Sequence, residues 1–441
     1  MVTNNSCAEK LMSLDKRHFL HPTSSIKDQQ ANGPAWIFTE GHGIYLTDIR
    51  GRTVIDGMSS LWNVNIGHGR EEVARAAMEQ MTKLAYSSCF ATYSNEPAIL
   101  LAEKLFQISP GDLVTTFFTS GGSESNDTAF KLARHYWILK GQPRKTKIIS
   151  RNKSYHGLTM GATSATGLDV FHEFSGSLAP GFCHVDNLSA HALQQVIAEE
   201  GPETVAAFVA EPIQGAGGVH LPPANYFTEV KRICEDAGIL FLVDEVITGF
   251  GRTGQYFGME HHHVTPDMMI FAKGVTSGYA QLGGVMLSQQ LMDELFEHST
   301  NTLFHGYTYS GHPTACTVAL KNIEIIEREQ LVRRAQEMGD YLRKGLEWLK
   351  EQHFSIRNVS CLGLIAGIEL GLDWDSDTLR SVISPKVVAA AAERGLIVRS
   401  VTFQGQDRVV LAPPLIINPS ELEKIVEILH ESLRDIEYSM L

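Results

Sequence analysis

The 441-residue sequence has no long apolar run, no excess of basic residues and no paired cysteine motif. Nowhere do about 18 apolar residues follow one another, and the start lacks an apolar run after basic residues, so neither a membrane span nor an export signal is expected. The 37 Lys and Arg residues are outnumbered by 50 Asp and Glu, which argues against nucleic acid and anionic membranes as partners. Six cysteines without CxxC spacing predict a cytoplasmic protein rather than a disulfide scaffold.

Short apolar runs alternate with longer amphipathic stretches through the first two thirds of the chain. This alternation is typical of an α/β fold with a mostly parallel sheet between helices. Predicted helices span 123–140 and 224–237, and the second ends before a capping glycine, Gly238. The predicted strands are 114–119, 147–150, 205–211, 239–244, 268–271 and 284–287.

The pattern of apolar and charged residues changes after residue 312. Long charged helices are predicted over 313–329 and 331–352, followed by a strand at 364–370 and a closing helix from Ser420. A strand pair within 43–57 near the N-terminus is expected to pack with this C-terminal part. We therefore predict a large domain over 61–312 and a smaller α+β domain formed by 313–441 together with the segment 1–60.

Two glycines and a serine, Gly121, Gly122 and Ser123, lie between a predicted strand and a predicted helix. Unpaired backbone N–H groups and the helix dipole at such a turn favour one bound phosphate. Small residues also suit a plain strand-to-helix turn, and this segment alone does not separate the two interpretations.

Two further strand ends carry ionisable groups. Asp244 and Glu245 follow the strand 239–244, and Lys273 follows the strand 268–271. Each feature alone also fits side chains that emerge into solvent at the edge of a sheet. A phosphate cradle, an acid and a lysine at the ends of strands of one sheet are, however, the three groups that a pyridoxal phosphate site needs.

The run His261–His263 is the strongest candidate for metal binding in the sequence. No second cluster of ligands has the spacing of a closed metal site, so we expect a solvated helix end here and no metal centre.

At these residues the sequence resembles the class III aminotransferases of pyridoxal phosphate (PLP) fold type I, and within them the ω-aminotransferases. DEVITGFGRTG at 244–254 and AKG at 272–274 are similar to the family signature, and the interval 273 − 244 = 29 matches the family's. The resemblance runs from about Gly33 to the C-terminal helix. It implies fold type I, a large domain with a mostly parallel sheet between helices plus a smaller α+β domain built from both termini, and PLP as cofactor.

The resemblance also assigns roles to individual residues. Lys273 would hold the cofactor as a Schiff base, Asp244 would pair with its ring nitrogen, and Val246 and Tyr155 would cover the two faces of the ring. For Trp62 and Phe90, ordinary core aromatics are the alternative interpretation. The resemblance further assigns to the cofactor Gly121, Gly122, Ser123, His156, Glu211, Tyr307 and Thr308, and to the substrate Trp62, Phe90, Tyr155 and Arg399.

The resemblance also implies an active site shared between subunits, and the chain departs from the family pattern at one position of the predicted phosphate site. Thr308 matches a threonine that reaches the phosphate of the neighbouring subunit, which implies a homodimer, possibly a tetramer, with the active site shared across the interface. The chain reads GGSESN at 121–126 where the family commonly reads SGSEAN, so Gly121 lacks one hydroxyl.

Residues near the C-terminus distinguish branches of the family. The position three before the PPL motif is Val410 rather than arginine, which disfavours the ornithine and GABA branches, whereas Arg399 aligns with the carboxylate-binding arginine of ω-aminotransferases and Arg408 is its rival. We expect a ping-pong transaminase that moves an amino group from an ω-amino acid or primary amine to a 2-oxo acid, most simply pyruvate. The alternative is adenosylmethionine-8-amino-7-oxononanoate aminotransferase, from whose motifs Leu158 and His312 depart. A PLP decarboxylase or aminomutase, or a non-catalytic binding protein, are the remaining classes.

Overall fold

The computed structural model describes residues 4–371 and 382–440. Residues 1–3 of the predicted segment 1–60, and residues 372–381 and 441 of the predicted segment 313–441, lie outside it. The strands are β1 Phe38–His42, β2 Tyr45–Asp48, β3 Thr53–Asp56, β4 Leu113–Thr119, β5 Lys147–Arg151, β6 Phe182–Val185, β7 Val205–Ala210, β8 Leu240–Asp244, β9 Met268–Phe271, β10 Gly283–Ser288, β11 Ile356–Leu362, β12 Ile365–Leu370, β13 Leu396–Ile397, β14 Arg399–Val401 and β15 Arg408–Leu411. The α-helices are α1 Asn4–His18, α2 Ile26–Asn32, α3 Ser59–Trp62, α4 Glu71–Lys83, α5 Glu96–Ile108, α6 Gly122–Leu139, α7 Met160–Ala165, α8 Asp169–Ser175, α9 Ala190–Glu200, α10 Tyr226–Ala237, α11 Gln289–His298, α12 Pro313–Arg328, α13 Leu331–Gln352, α14 Ser384–Glu393 and α15 Pro419–Tyr438.

A seven-stranded sheet in the order β4-β10-β9-β8-β7-β5-β6 forms the centre of the molecule. Neighbours from β9 to β6 pair in parallel, and β10 runs antiparallel between β9 and β4. Every residue of β7 and β8 is buried, because helices cover both faces of the sheet, with α6 on one side and α9 and α10 on the other. The predicted α/β class is therefore confirmed.

Two smaller sheets stand beside this one. The first has the order β1-β2-β3-β13, in which Ile55 of β3 pairs in parallel with Leu396 of β13. The expected packing of the N-terminal strand pair on the C-terminal part is thus present. The second sheet, β11-β12-β15-β14, is antiparallel, and α13 and α15 cover it through the apolar core. The domain boundaries at 60 and 312 remain predictions.

Most predicted elements agree with the structure to within a few residues, and α10 ends at Gly238, whose φ of +60° is a left-handed cap. One expectation about the backbone is wrong. The run SVTFQGQD at 400–407, which follows the apolar run GLIV, predicts a long loop that begins at Arg399, but Arg399 begins the short strand β14, which pairs with β15 through Arg399 and Val410. The strand β14 has only three residues, two of them polar, and it lies at the edge of its sheet. Because it shows no alternation of apolar and polar residues, the sequence gives little sign of it.

Candidate active site

A cavity of about 640 Å³ opens at the carboxyl ends of the central strands. The three strand ends predicted to meet do meet there: Ser123 in the first turn of α6, Asp244 at the end of β8 and Lys273 two residues after β9 all line it. Carboxyl ends of strands are where open α/β sheets hold ligands. The other predicted residues that line the cavity are Trp62, Gly122, Tyr155, His156, Glu211, Val246 and Arg399.

Asp244 is the best-fixed acidic group in the cavity. Its side chain is 4% exposed, its Oδ2 accepts a hydrogen bond from Asn126 Nδ2 at 2.8 Å, and His156 Nδ1 lies 2.8 Å from the same oxygen. Its Oδ1 accepts from the Val246 backbone N–H at 3.0 Å. Among the described residues no lysine or arginine makes an ion pair with Asp244. A buried carboxylate without a cation fits a ligand that brings a positive charge, as a protonated pyridine nitrogen does.

His156 is the second side chain that bonds the Asp244 carboxylate. Because a carboxylate only accepts hydrogen bonds, the imidazole donates from Nδ1, while its Nε2 is buried without a hydrogen-bond partner among the described residues. Asn126, which sequence reasoning missed, lies one helical turn after Gly122, and this i, i+4 spacing from a glycine predicted to bind phosphate was the available signal.

Lys273 follows β9 in a strained conformation, with φ of +47°, a region that favours glycine. Burial of its amine lowers the pKa of Lys273 to about 8. A lysine amine with this pKa is partly unprotonated near neutral pH, which is the form that attacks a carbonyl carbon.

Glu211 and Glu245 are buried carboxylates held by different donors. Glu211 Oε1 accepts from the Tyr155 backbone N–H at 3.0 Å and Oε2 from the Gly215 N–H at 3.1 Å, and burial raises the pKa of Glu211 to about 7. Glu245 does not line the cavity. Its carboxylate accepts from the backbone N–H groups of Gly258 and Met259, which satisfy both of its oxygens without a positive partner.

The turn into α6 has the geometry of an anion site. Gly121 is extended, with φ of 176°, and α6 begins at Gly122 without a side-chain cap. Ser123 Oγ accepts from the Leu158 backbone N–H at 3.0 Å, and a Cβ at Gly157 would come within 2.3 Å of that hydroxyl. A free helix N-terminus, a lysine amine and an uncompensated carboxylate together fit the phosphate, aldehyde and ring nitrogen of PLP.

Apart from the groups around Asp244 and Lys273, most of the residues that line the cavity are apolar. Its walls include Leu61, Trp62, Leu168, Phe171 and Phe403. Arg399 also lines it and forms no ion pair with any residue that the structure describes, and burial lowers the pKa of its guanidinium. The rival candidate Arg408 is instead committed to Glu369 through its Nη2, and it does not line the cavity.

Four predicted residues, Gly121, Phe90, Tyr307 and Thr308, do not line the cavity of their own chain. Phe90 is 48% exposed and packs against Gly306, so it is not an ordinary core aromatic, whereas Trp62 is both buried and part of the cavity wall. Thr308 is exposed, and its carbonyl accepts from the Tyr86 hydroxyl at 2.7 Å. The Tyr307 hydroxyl donates to the Glu124 carbonyl at 3.2 Å in the first turn of α6.

The histidine run is less exposed than expected. His261 and His262 are half-buried at the end of a short 3-10 helix, Gly258–His262, where His261 Nε2 lies 3.1 Å from the Thr253 carbonyl and the ring of His262 packs on Phe227. In the part of the chain that the structure describes, no three His, Cys, Asp or Glu side chains cluster as metal ligands. None of the helices described is long and apolar enough to cross a membrane.

Known proteins are similar to this chain in sequence and in structure. The Aminotransferase class-III family profile matches residues 26–433. A putrescine–pyruvate aminotransferase from Pseudomonas aeruginosa is 36% identical over 97% of both chains. The crystal structure of a transaminase from the marine bacterium Virgibacillus has a TM-score of 0.96 and 51% identity, covering 98% of this chain and 100% of the other.

A third similar protein carries a form of the cofactor. The crystal structure of the ω-transaminase from Pseudomonas jessenii, determined in complex with PMP, has a TM-score of 0.92 and 36% identity, over 96% of this chain and 98% of the other. The buried acid, the lysine and the free helix N-terminus around one cavity agree with that relationship. The chain therefore belongs to the class III aminotransferases, PLP-dependent enzymes of fold type I, and its structural neighbours are ω-transaminases.

Proposed function

We propose that this aminotransferase takes the amino group of a primary amine or ω-amino acid and transfers it to a 2-oxo acid, with pyruvate as the acceptor, in a ping-pong reaction. The observation that carries this proposal is the composition of the cavity beyond Lys273. One unpaired arginine stands among apolar side chains, so the same space suits a small carboxylate and an apolar substituent.

Lys273 has two tasks in this scheme. Bound PLP supplies an aldehyde that accepts the amino group and a ring that withdraws electrons from the substrate carbon. Lys273 Nζ would hold the cofactor between turnovers, and its free amine would take a proton from the substrate carbon and give it back during the transfer. Its pKa of about 8 leaves a useful fraction of the amine unprotonated for both tasks.

Asp244 stabilises the positive charge on the ring nitrogen. Asn126 and His156 hold the carboxylate by its Oδ2, so the carboxylate is already oriented and does not have to reorganise during the reaction. Because no described lysine or arginine pairs with Asp244, its negative charge is left for the cofactor. Val246 and Tyr155 would cover the two faces of the ring, and Gly121, Gly122, Ser123 and Glu211 would surround its phosphate and phenolic ends.

Arg399 binds the carboxylate of the 2-oxo acid in this scheme. When the amine carries an apolar substituent instead, a fixed guanidinium would be a buried, unpaired charge beside it. The backbone of β14 is held by its pairing with β15, so the movement that resolves this conflict belongs to the Arg399 side chain.

A second copy of the chain completes the site. Thr308 and Tyr307 lie at an exposed turn, where the Ser310 N–H bonds back to the Tyr307 carbonyl at 3.0 Å, and neither residue reaches the chain's own cavity. Exposed aromatics around this turn, including Phe90, Tyr93 and Tyr309, suit a homodimer interface, with a tetramer as a larger assembly. We place the enzyme in the cytoplasm, in keeping with its cysteines, none of which is paired in the structure.

A panel of amines tests the proposal. β-Alanine, taurine, putrescine, 1-phenylethylamine and GABA are each offered with pyruvate or 2-oxoglutarate, and formation of alanine or glutamate is measured. Alanine formation with at least one amine is expected. Carbon dioxide release or isomerisation without an acceptor would instead indicate a decarboxylase or aminomutase. Turnover restricted to 8-amino-7-oxononanoate with adenosylmethionine would assign the chain to the alternative branch, although Leu158, which lines the cavity, departs from it.

A further inference from the structure

The segment that contains His156 is irregular backbone that side chains hold in place. Residues 154–157 belong to neither a helix nor a strand, so their buried N–H groups need partners from elsewhere in the chain. The Tyr155 N–H donates to Glu211 Oε1 at 3.0 Å, and the His156 N–H donates to Thr166 Oγ1 at 2.9 Å. Of these two acceptors, Glu211 lines the cavity, whereas Thr166 does not.

Thr166 cross-links this segment through a single oxygen. Its Oγ1 accepts from the His156 N–H and donates to the Gly157 carbonyl at 3.3 Å, so one hydroxyl bonds the backbone on both sides of the His156 side chain. Thr166 is fully buried. Without its hydroxyl, the His156 N–H would be a buried donor that has lost its acceptor.

The turn that presents this hydroxyl is itself held on several sides. Thr166 follows α7, where its N–H donates to the Ala162 carbonyl at 2.9 Å, and its own carbonyl accepts from His172 Nε2 at 2.5 Å. The next residue, Gly167, donates its N–H to the Ser154 carbonyl at 2.9 Å. The hydroxyl therefore stands on a fixed support that reaches directly to the His156 segment.

The imidazole of His156 depends on this support for its position. The residue is 2% exposed, and its Nδ1 donates to Asp244 Oδ2 at 2.8 Å. Among the described residues this is the only hydrogen bond that the His156 ring makes. A hydrogen bond weakens steeply when its distance or angle departs from the optimum, so a shift of the His156 backbone would loosen the hold on Asp244.

We propose that Thr166 is a positioning residue for the amino transfer, because its hydroxyl fixes the backbone of His156 and so keeps the imidazole on Asp244. The inference rests on the role proposed for Asp244 and extends it to a residue outside the cavity. Thr166→Val keeps the shape of the side chain and removes the hydroxyl. It should lower kcat for alanine formation about tenfold and leave KM for the amine within about threefold, because valine would touch neither substrate nor cofactor.

The imidazole proton of His156 gives a measurement that does not depend on turnover. In the holoenzyme labelled with ¹⁵N-histidine, an Nδ1–H bonded to a carboxylate gives a downfield proton resonance coupled to the label, and its loss in His156→Asn assigns it. In Thr166→Val this proton should exchange with solvent at least about tenfold faster. Thr166→Ser keeps the hydroxyl and should leave the exchange rate and kcat within about threefold of the wild type.

Ser150→Ala is the matched control. Ser150 is equally buried, and its Oγ donates to the Ala165 carbonyl at 2.6 Å in the same turn, without a hydrogen bond to His156. Its loss should lower the melting temperature but keep the imidazole exchange rate and kcat within about twofold.

A double-mutant cycle identifies the route of the effect. Adding Thr166→Val to His156→Asn should lower kcat further by less than about twofold, because the residue through which Thr166 acts is already changed. A second loss as large as the one in the wild-type background would overturn the proposal, since Thr166 would then act through another residue. If Thr166→Val does not fold, Thr166→Cys replaces it, because the thiol is only a weak acceptor.

The outcomes separate this inference from the proposed function. Unchanged exchange of the imidazole proton in the valine or cysteine variant would overturn the positioning role, even if the wild type transaminates as proposed. Faster exchange with wild-type kcat would also overturn it. A wild type that transfers no amino group from any amine would overturn the proposed function, whereas the proton exchange would still report on the hydroxyl.

Discussion

Replacing Asp244 with asparagine tests the electrostatics of the site most severely. The change keeps the shape of the side chain and removes its negative charge. Two unit charges about 3 Å apart, at an effective dielectric constant of about 20, interact by about 5.5 kcal/mol. Because about 1.36 kcal/mol corresponds to a tenfold change in rate, kcat should fall by about four orders of magnitude if the full interaction acts in the transition state.

The hydrogen bonds around the carboxylate make this loss specific to charge. The Asn126 amide and the His156 imidazole both bond Asp244 Oδ2, and an asparagine at position 244 keeps one oxygen to receive a donor. The assay is the single-turnover rate of alanine formation, measured per bound cofactor by absorbance. A loss smaller than about tenfold would refute the reasoning, since another group would then have to charge the ring.

Glu245→Gln is the matched control for this experiment. Glu245 is the adjacent residue, equally buried, but its carboxylate faces the backbone N–H groups of Gly258 and Met259 and not the cavity. This variant should lower the melting temperature, because charge-assisted hydrogen bonds are lost, and should keep the rate per bound cofactor within about threefold.

Three further predictions concern the other polar groups of the site. Arg399→Ala should raise KM for pyruvate by at least about tenfold and leave the half-reaction with 1-phenylethylamine within about threefold, because only the acid needs the guanidinium; equal damage to both half-reactions would give Arg399 a structural role, and unchanged pyruvate kinetics would contradict its assignment. Thr308→Ala should speed the loss of cofactor on dialysis without separating the subunits in sedimentation, and a cofactor-saturated active monomer would contradict the shared site. The rate at which PLP attaches to the cofactor-free enzyme should rise with pH up to about 8 and level off above it, because burial lowers the pKa of Lys273 to about 8 and only the unprotonated amine attacks; a rate that rises only near pH 10 would show an ordinary lysine.

The residues on the strands of the central sheet were predictable because local chemistry and topology agree. Asp244 and Lys273 each follow a short run that is wholly buried, and parallel strands bring their carboxyl ends to one edge. The sequence alone therefore predicts that Asp244 and Lys273 lie near each other at one edge of the sheet. Periodicity also places Gly238 at the end of α10, since the αL cap needs glycine.

The outer cavity was not predictable in the same way. Phe171 lies on a seven-residue helix and Phe403 in a turn of three residues, and their meeting is set by contacts between segments more than 200 positions apart. The place of Asn126 in the site follows from its hydrogen bond to Asp244, which is 118 positions away in the sequence. The strand that contains Arg399 is too short to show an alternation of apolar and polar residues. Short elements that tertiary contacts hold in place leave little signal in local sequence.

The residue to which PLP is attached is the most direct test of whether Lys273 holds the cofactor. The enzyme saturated with PLP is reduced with sodium borohydride, which fixes the cofactor to the amine that holds it, and the digested protein is examined by mass spectrometry. The added mass is expected on the peptide that contains Lys273, whereas Lys273→Ala should show neither the added mass nor turnover. Labelling of a different lysine in the wild-type enzyme, or near-normal transamination by Lys273→Ala, would contradict that assignment.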